Sequence, residues 1–132
     1  MADEFDIIDY VYEAVEAANT GLMIYKDRSL TGETNSHIVI NHLNINSDDD
    51  ETIDFVSRLP VNVNVFIKLP SKGMINRTAM KEAVRAIRSS IKQIKSVNGQ
   101  YRHAHIAWEG RIESAKEGFD CMNIRIDFET DK

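Results

Sequence analysis

From Val61 to Leu69 the chain alternates without interruption: Val61, Val63, Val65, Ile67 and Leu69 are apolar, and Asn62, Asn64, Phe66 and Lys68 stand between them. A period of two is the signature of a strand, because successive side chains leave opposite faces of the pleat. One face of such a strand must be covered and the other is at least partly wet, which calls for a sheet with a layer of helices packed on one side. At 132 residues the chain is long enough to build one such core without disulfides or metal, so a single domain over residues 1–132 is expected.

Two segments have the pattern that can supply the helical layer. From Glu4 to Asn19, Phe5, Ile8, Tyr12 and Val15 recur at helical spacing, and Ile7, Val11, Ala14 and Ala18 widen the apolar arc beyond what one packing face needs. Asp6, Asp9, Glu13 and Glu16 form an acidic stripe beside it. The acidic residues Asp3, Glu4 and Asp6 suit the start of a helix, and Asn19-Thr20-Gly21 is a stop. The second segment, Arg77–Lys95, carries three stripes. Met80, Val84, Ile87, Ile91 and Ile94 are its core line, and Ala79, Ala83, Ala86 and Ser90 make a line of small side chains that lets another backbone approach. Arg77, Lys81, Arg85, Arg88, Lys92 and Lys95 make a basic line.

Further strands are expected at 22–25, 37–46, 101–109 and 119–129. In the second of these the apolar parity changes from Ile38 and Ile40 to Leu43 and Ile45, which predicts a bend near Asn41-His42. The core faces of the last two are assigned to Ala104, Ile106 and Trp108, and to Met122, Ile124, Ile126 and Phe128. Gly110–Gly118 is expected as a long charged hairpin loop, and the acidic run at 44–52 as a solvated loop, since it lacks the glycine and distal glutamate of a calcium loop. The order is α-β-β-β-α-β-β: an α+β fold, two helices packed on one mostly antiparallel sheet of four or five strands.

No catalytic pattern accompanies these elements. No serine has the glycine-flanked elbow of an activated nucleophile, and Pro70–Gly73 lacks the glycine-rich pattern of a phosphate loop. His103 and His105 share a strand face and would give zinc two ligands, but no third ligand is legible; two imidazoles facing Asp127 or Glu129 on the next strand is the preferred reading. Cys121 in an alternating run reads as a small buried thiol. A non-enzymatic protein without cofactor or metal is therefore expected. The acidic opening MADEFDII is unlike a basic signal-peptide start, and no apolar run reaches membrane-spanning length. A protein that stays in a reducing compartment, off the membrane, follows.

Charge is the remaining signal. Residues 71–97 hold seven Lys/Arg against Glu82 alone, in a chain of formal charge −5, and such segregation marks a subunit that meets something charged. Three surroundings fit the basic line: solvent, an acidic protein surface belonging to the chain's own first helix or to a neighbour's, and nucleic acid. The acidic total and the lack of aromatics in the line weigh against nucleic acid.

The succession FDIIDYVYEAVEAAN, GLMIYK, SHIVINHLNIN, VNVNVFIKLP, TAMKEAVRAIRSSIKQI, YRHAHIAWEG and GFDCMNIRIDFET resembles, over nearly the whole chain, the small tail-completion or tail-terminator proteins (minor tail protein U-like) of long-tailed bacteriophages and prophages. The resemblance is one of layout and length. It implies an α+β subunit that closes into a hexameric ring on the end of the tail tube, stops tube growth and joins the head-tail connector protein. Its partners would be further copies of itself, the tail tube protein and the connector; it would be made in the bacterial host cytoplasm and reside in the virion tail. Other neck and connector proteins share this layout, and a nucleic-acid-binding accessory protein using residues 77–95 is the alternative outside it. In the ring setting the acidic stripe Asp6, Asp9, Glu13 and Glu16, the basic line, and Ala79, Ala83 and Ala86 would serve as subunit contacts.

Overall fold

The computed structural model describes residues 4–29, 31–42, 56–70, 73–94, 103–113 and 115–131. They form α1 (Glu4–Ala17), β1 (Met23–Lys26), β2 (His37–His42), β3 (Val56–Lys68), α2 (Arg77–Ile91), β4 (His103–Arg111) and β5 (Phe119–Asp131). The five strands make one sheet in the order β1-β2-β3-β5-β4. β1 runs parallel to β2, and every other pairing is antiparallel. The fold is thus α+β, with the element order read from the sequence.

Alternation in β3 organises the molecule. Val61, Val63, Val65 and Ile67 are buried beneath the helices, and register places Ile126, Ile124 and Met122 beside the first three of them. Ile7, Ile8, Val11 and Val15 of α1 and Met80, Ala83, Val84, Ile87 and Ile91 of α2 close the core from above. α1 lies over β1 and β2, α2 lies over β3 and β5, and the two helices are in contact. Burial of these side chains is the main source of stability, each valine, isoleucine or methionine contributing about 1.5–3 kcal/mol before entropy is counted.

Local chemistry sets the helix ends. Asn76 caps α2, its side chain accepting the Ala79 N–H at 3.2 Å. α1 stops where Asn19 adopts φ +56° and Gly21 φ +79°, conformations that reverse the chain into β1. α2 ends at Ile91, one turn short of the sequence expectation, with Lys92 at its C-cap.

Several expectations are corrected. Phe5, assigned to the apolar arc of the first helix, is 70 % exposed. Trp108, assigned to the core face of its strand, is 45 % exposed on the opposite face. The cause is a bulge: Ile106 pairs with Ile126, but Trp108 pairs with Arg125, so Ala107 is an extra residue and every later side chain changes face. The indole then lies over Gly110, where a Cβ would come within 2.5 Å of Trp108 Cζ2. Arg111 belongs to β4 and not to the hairpin loop. β3 begins five residues earlier than the alternation indicated, at Val56. β2 pairs with β3 in unbroken register as far as His42, and the expected parity change at 43–46 and the acidic run at 44–52 lie outside the described residues.

Candidate functional site: a basic cleft and an acidic flank

The bulge in β4 builds one wall of a cleft. After it, Glu109 and Arg111 turn toward the helical side, in register with Ile124 and Met122. Glu109 receives Arg88 Nε at 2.8 Å from α2. Arg111 holds Asp120 with two hydrogen bonds, Nε to Oδ1 at 2.7 Å and Nη2 to Oδ2 at 3.1 Å. Between this wall and the helix is a cleft of about 340 Å³ with Met80, Val84 and Met122 at its apolar side and Arg77, Lys81, Arg85, Arg88 and Arg111 around it.

The basic line of the sequence is therefore not uniform. Arg88 is half-buried and committed to Glu109. Arg77, Lys81, Arg85 and Lys92 are exposed, and none is paired with a carboxylate among the described residues. Lys95 lies outside the described residues.

The acidic stripe lies at the other end of the sheet. Asp9 accepts Lys26 Nζ of β1 at 2.6 Å, and the same ammonium stands 4.8 Å from the Tyr12 ring centroid. Glu16 lines a hollow with Met23 and Ile24 of β1. Glu13 and Glu16 are exposed, and Asp6 is half-exposed. Asp6, Glu13 and Asp9 act together on Tyr10, whose hydroxyl pKa is raised by burial first and by these carboxylates after it. With β1 and β4 at opposite edges of five strands, four steps of ~4.8 Å separate the two flanks, roughly 19 Å in all. Among the described residues no carboxylate of α1 is ion-paired with a cation of the basic line.

The small-residue line divides. At its end the Ser90 hydroxyl donates to the Ala14 carbonyl of α1, a close helix–helix contact. Ala79, Ala83 and Ala86 instead line an open groove of about 820 Å³ together with Asn19, Thr20, Leu22 and the Ile67–Pro70 stretch.

On the uncovered face of the sheet, polar residues meet one another. Asn62 Nδ2 donates to Asn41 Oδ1 at 3.1 Å, and Asn123 Nδ2 donates to Asn62 Oδ1 at 3.2 Å and to Asn64 Oδ1 at 2.8 Å. Beyond them lies a cluster that the sequence did not reveal. His37 is fully buried, stacked on Phe66 with centroids 4.8 Å apart and edged by Phe119 and Tyr25. Its Nδ1 donates to the Asn35 carbonyl at 2.8 Å, which leaves Nε2 as the lone-pair nitrogen, 3.5 Å from Lys116 Nζ. Lys116 in turn lies against the Phe66 and Phe119 rings, and the Tyr25 hydroxyl donates to Glu33. The Tyr25 bond, the largest cause, lowers the Glu33 pKa and raises that of Tyr25. Only sheet pairing brings residues 25, 37, 66 and 119 together.

His103 and His105 pair in register with Glu129 and Asp127; the side chains of His103 and Glu129 lie outside the described residues. Among the described residues no three of His, Cys, Asp or Glu converge as a metal site. Cys121 is buried, and burial, with Asp120 adding to it, pushes its thiol up to about 11, far from the range of reactive cysteines. No described helix is long and apolar enough to cross a membrane.

Arg111, Met122 and Glu109 are the functional candidates that the sequence reading missed. The one available signal was Trp108-Glu109-Gly110, in which an indole needs a bare backbone to lie on.

Comparison with models of known protein families and with curated proteins found no match to this chain.

Proposed function

We propose that this chain is a structural subunit of a phage tail, one that assembles with copies of itself into a ring capping the tail tube and joining it to the head connector. The observation that carries the reading is the separation of charge: a cation-rimmed cleft at the β4 edge and a carboxylate stripe at the β1 edge. A head-to-tail ring needs two different, complementary patches on each subunit, and opposite edges of one sheet offer two such places. The layout resemblance supplies the tail setting and the tail partners.

The expected result is a concentration-dependent, ring-sized oligomer in light scattering at low salt that dissociates as ionic strength rises, because exposed charge pairs are screened within about 10 Å at 0.1 M salt. Closed rings should be visible by negative-stain electron microscopy. A monomer under all these conditions overturns the reading.

A second reading, a nucleic-acid-binding accessory protein, draws on the same cations. It requires a gel shift at about 50 mM salt that collapses steeply as salt rises. On the tail reading the expected outcome is no shift, since the cleft floor is thioether and aliphatic and offers no aromatic platform for bases.

A further inference from the structure

Phe5 is 70 % exposed on a helix whose Ile7, Ile8, Val11 and Val15 are all buried. At ~100° per residue its side chain leaves α1 at the margin of the acidic stripe, about 20° from Glu16, 40° from Asp9 and 80° from Glu13 on one side and about 20° from Tyr12 on the other. A phenyl ring exposed at the margin of an acidic stripe is a poor surface for a lone chain, and it is the shape and charge opposite to the cleft at the other edge of the sheet. The cleft has Met80, Val84 and Met122 for its floor and Arg77, Lys81, Arg85 and Arg111 for its rim, in about 340 Å³. A dry cavity of about 150 Å³ already accepts benzene, so a phenyl ring fits with room for the surrounding side chains.

We infer that the cleft is a socket for Phe5 of a second copy of this chain, with the acidic stripe of that copy's α1 lying along Arg77, Lys81 and Arg85. This inference rests on the self-assembly reading and names its contact. The methionine side chains adapt to the inserted ring, and the guanidinium groups meet its face or the carboxylates beside it. Arg88 and Arg111 are already held by Glu109 and Asp120, so they keep the wall rigid, and the three cations without such partners make the new pairs. Knob and socket lie on opposite flanks, so each copy gives one and receives one, and the contact propagates head to tail.

The test uses two full-length variants. Phe5→Ala removes the knob and leaves the socket; Lys81→Glu/Arg85→Glu spoils the socket and leaves the knob. All three positions are exposed, so circular dichroism and Tm should match the parent chain. Sedimentation velocity should show each variant alone as a monomer at concentrations where the parent chain assembles, with the dissociation constant for Phe5→Ala raised about 30-fold, as for a central anchor of an interface. Mixed one to one, the two variants should form a heterodimer and nothing larger, because only one productive knob-and-socket pair remains. Assembly of Phe5→Ala at parent affinity, or a mixture that stays monomeric, overturns this contact while self-assembly itself stands. A parent chain that is monomeric at every concentration overturns both.

Discussion

Arg111→Met is expected to destabilise the fold by about 3 kcal/mol, and Arg111→Met/Asp120→Leu to regain most of that loss. Asp120 sits on the helical face of β5, in register with Ile67 of the core, and its side chain is 4 % exposed. Both carboxylate oxygens are satisfied by one guanidinium. Taking away the guanidinium leaves a buried charge without a counter-charge or donors, which typically costs 3–5 kcal/mol. The lower end applies because Arg111 is 44 % exposed and water reaches the site once the side chain is gone. Replacing both partners by apolar groups removes the desolvated charge altogether, and buried pairs treated in this way are often neutral. Urea denaturation of the parent, both single variants and the double variant closes the cycle. A loss below about 0.5 kcal/mol for Arg111→Met shows that Asp120 finds water or another donor, and the pair would then have no structural weight.

His37→Ala is expected to cost about 3 kcal/mol, in the range of deleting a buried ring. It removes the stacking on Phe66 and the edge contacts with Phe119 and Tyr25, and takes the ring N–H from the Asn35 carbonyl and one of two polar partners from Lys116, whose bond to Ser29 remains. The same site makes stability depend on pH. Burial, the largest cause, lowers the His37 pKa below its ordinary value of 6.5; Lys116 lowers it further, while the Asn35 bond and Glu33 act the other way. Among the described residues, Tyr25, Glu33 and Lys116 are the titratable groups that face the ring. As the folded value lies below the unfolded one, the unfolded chain binds the proton first. This contribution is complete above pH 6.5 and is lost as pH falls from there through the folded pKa. The urea midpoint of the parent should therefore begin to drop as pH falls below about 6.5, before the carboxylates titrate. His37→Phe keeps the stacking and abolishes the proton uptake, so its midpoint should be flatter over that window. Equal slopes for the two chains would assign the pH dependence to other groups.

How much of this was legible in the sequence follows the range of the interactions. Both helices, the alternation of β3 and the element order are written in periodicities spanning a few residues, and they appear in the structure with boundaries shifted by a turn or less at most ends. The basic and acidic lines were equally legible, being helical spacing applied to charge. Trp108 was misplaced because its pattern of Ala104, Ile106 and Trp108 satisfies a period of two, while the bulge at Ala107 depends on what lies across the strand and above it. Glu109 has a partner on the helical side only because α2 brings Arg88 there. Phe5 was misplaced for a related reason: an apolar arc wider than the packing face leaves one member outside, and periodicity alone does not tell which.

The sequence by itself determined the α+β class, the two helical faces and the presence of opposed charge stripes, because each depends on side-chain spacing along one element. The tertiary structure alone decided that the stripes flank opposite edges of the sheet, that a bulge turns Arg111 into the wall of a basic cleft, and that His37 is enclosed by Phe66, Phe119 and Tyr25. Those facts depend on strand order and register, which are fixed by how all the apolar faces can be buried together and not by any local run of residues.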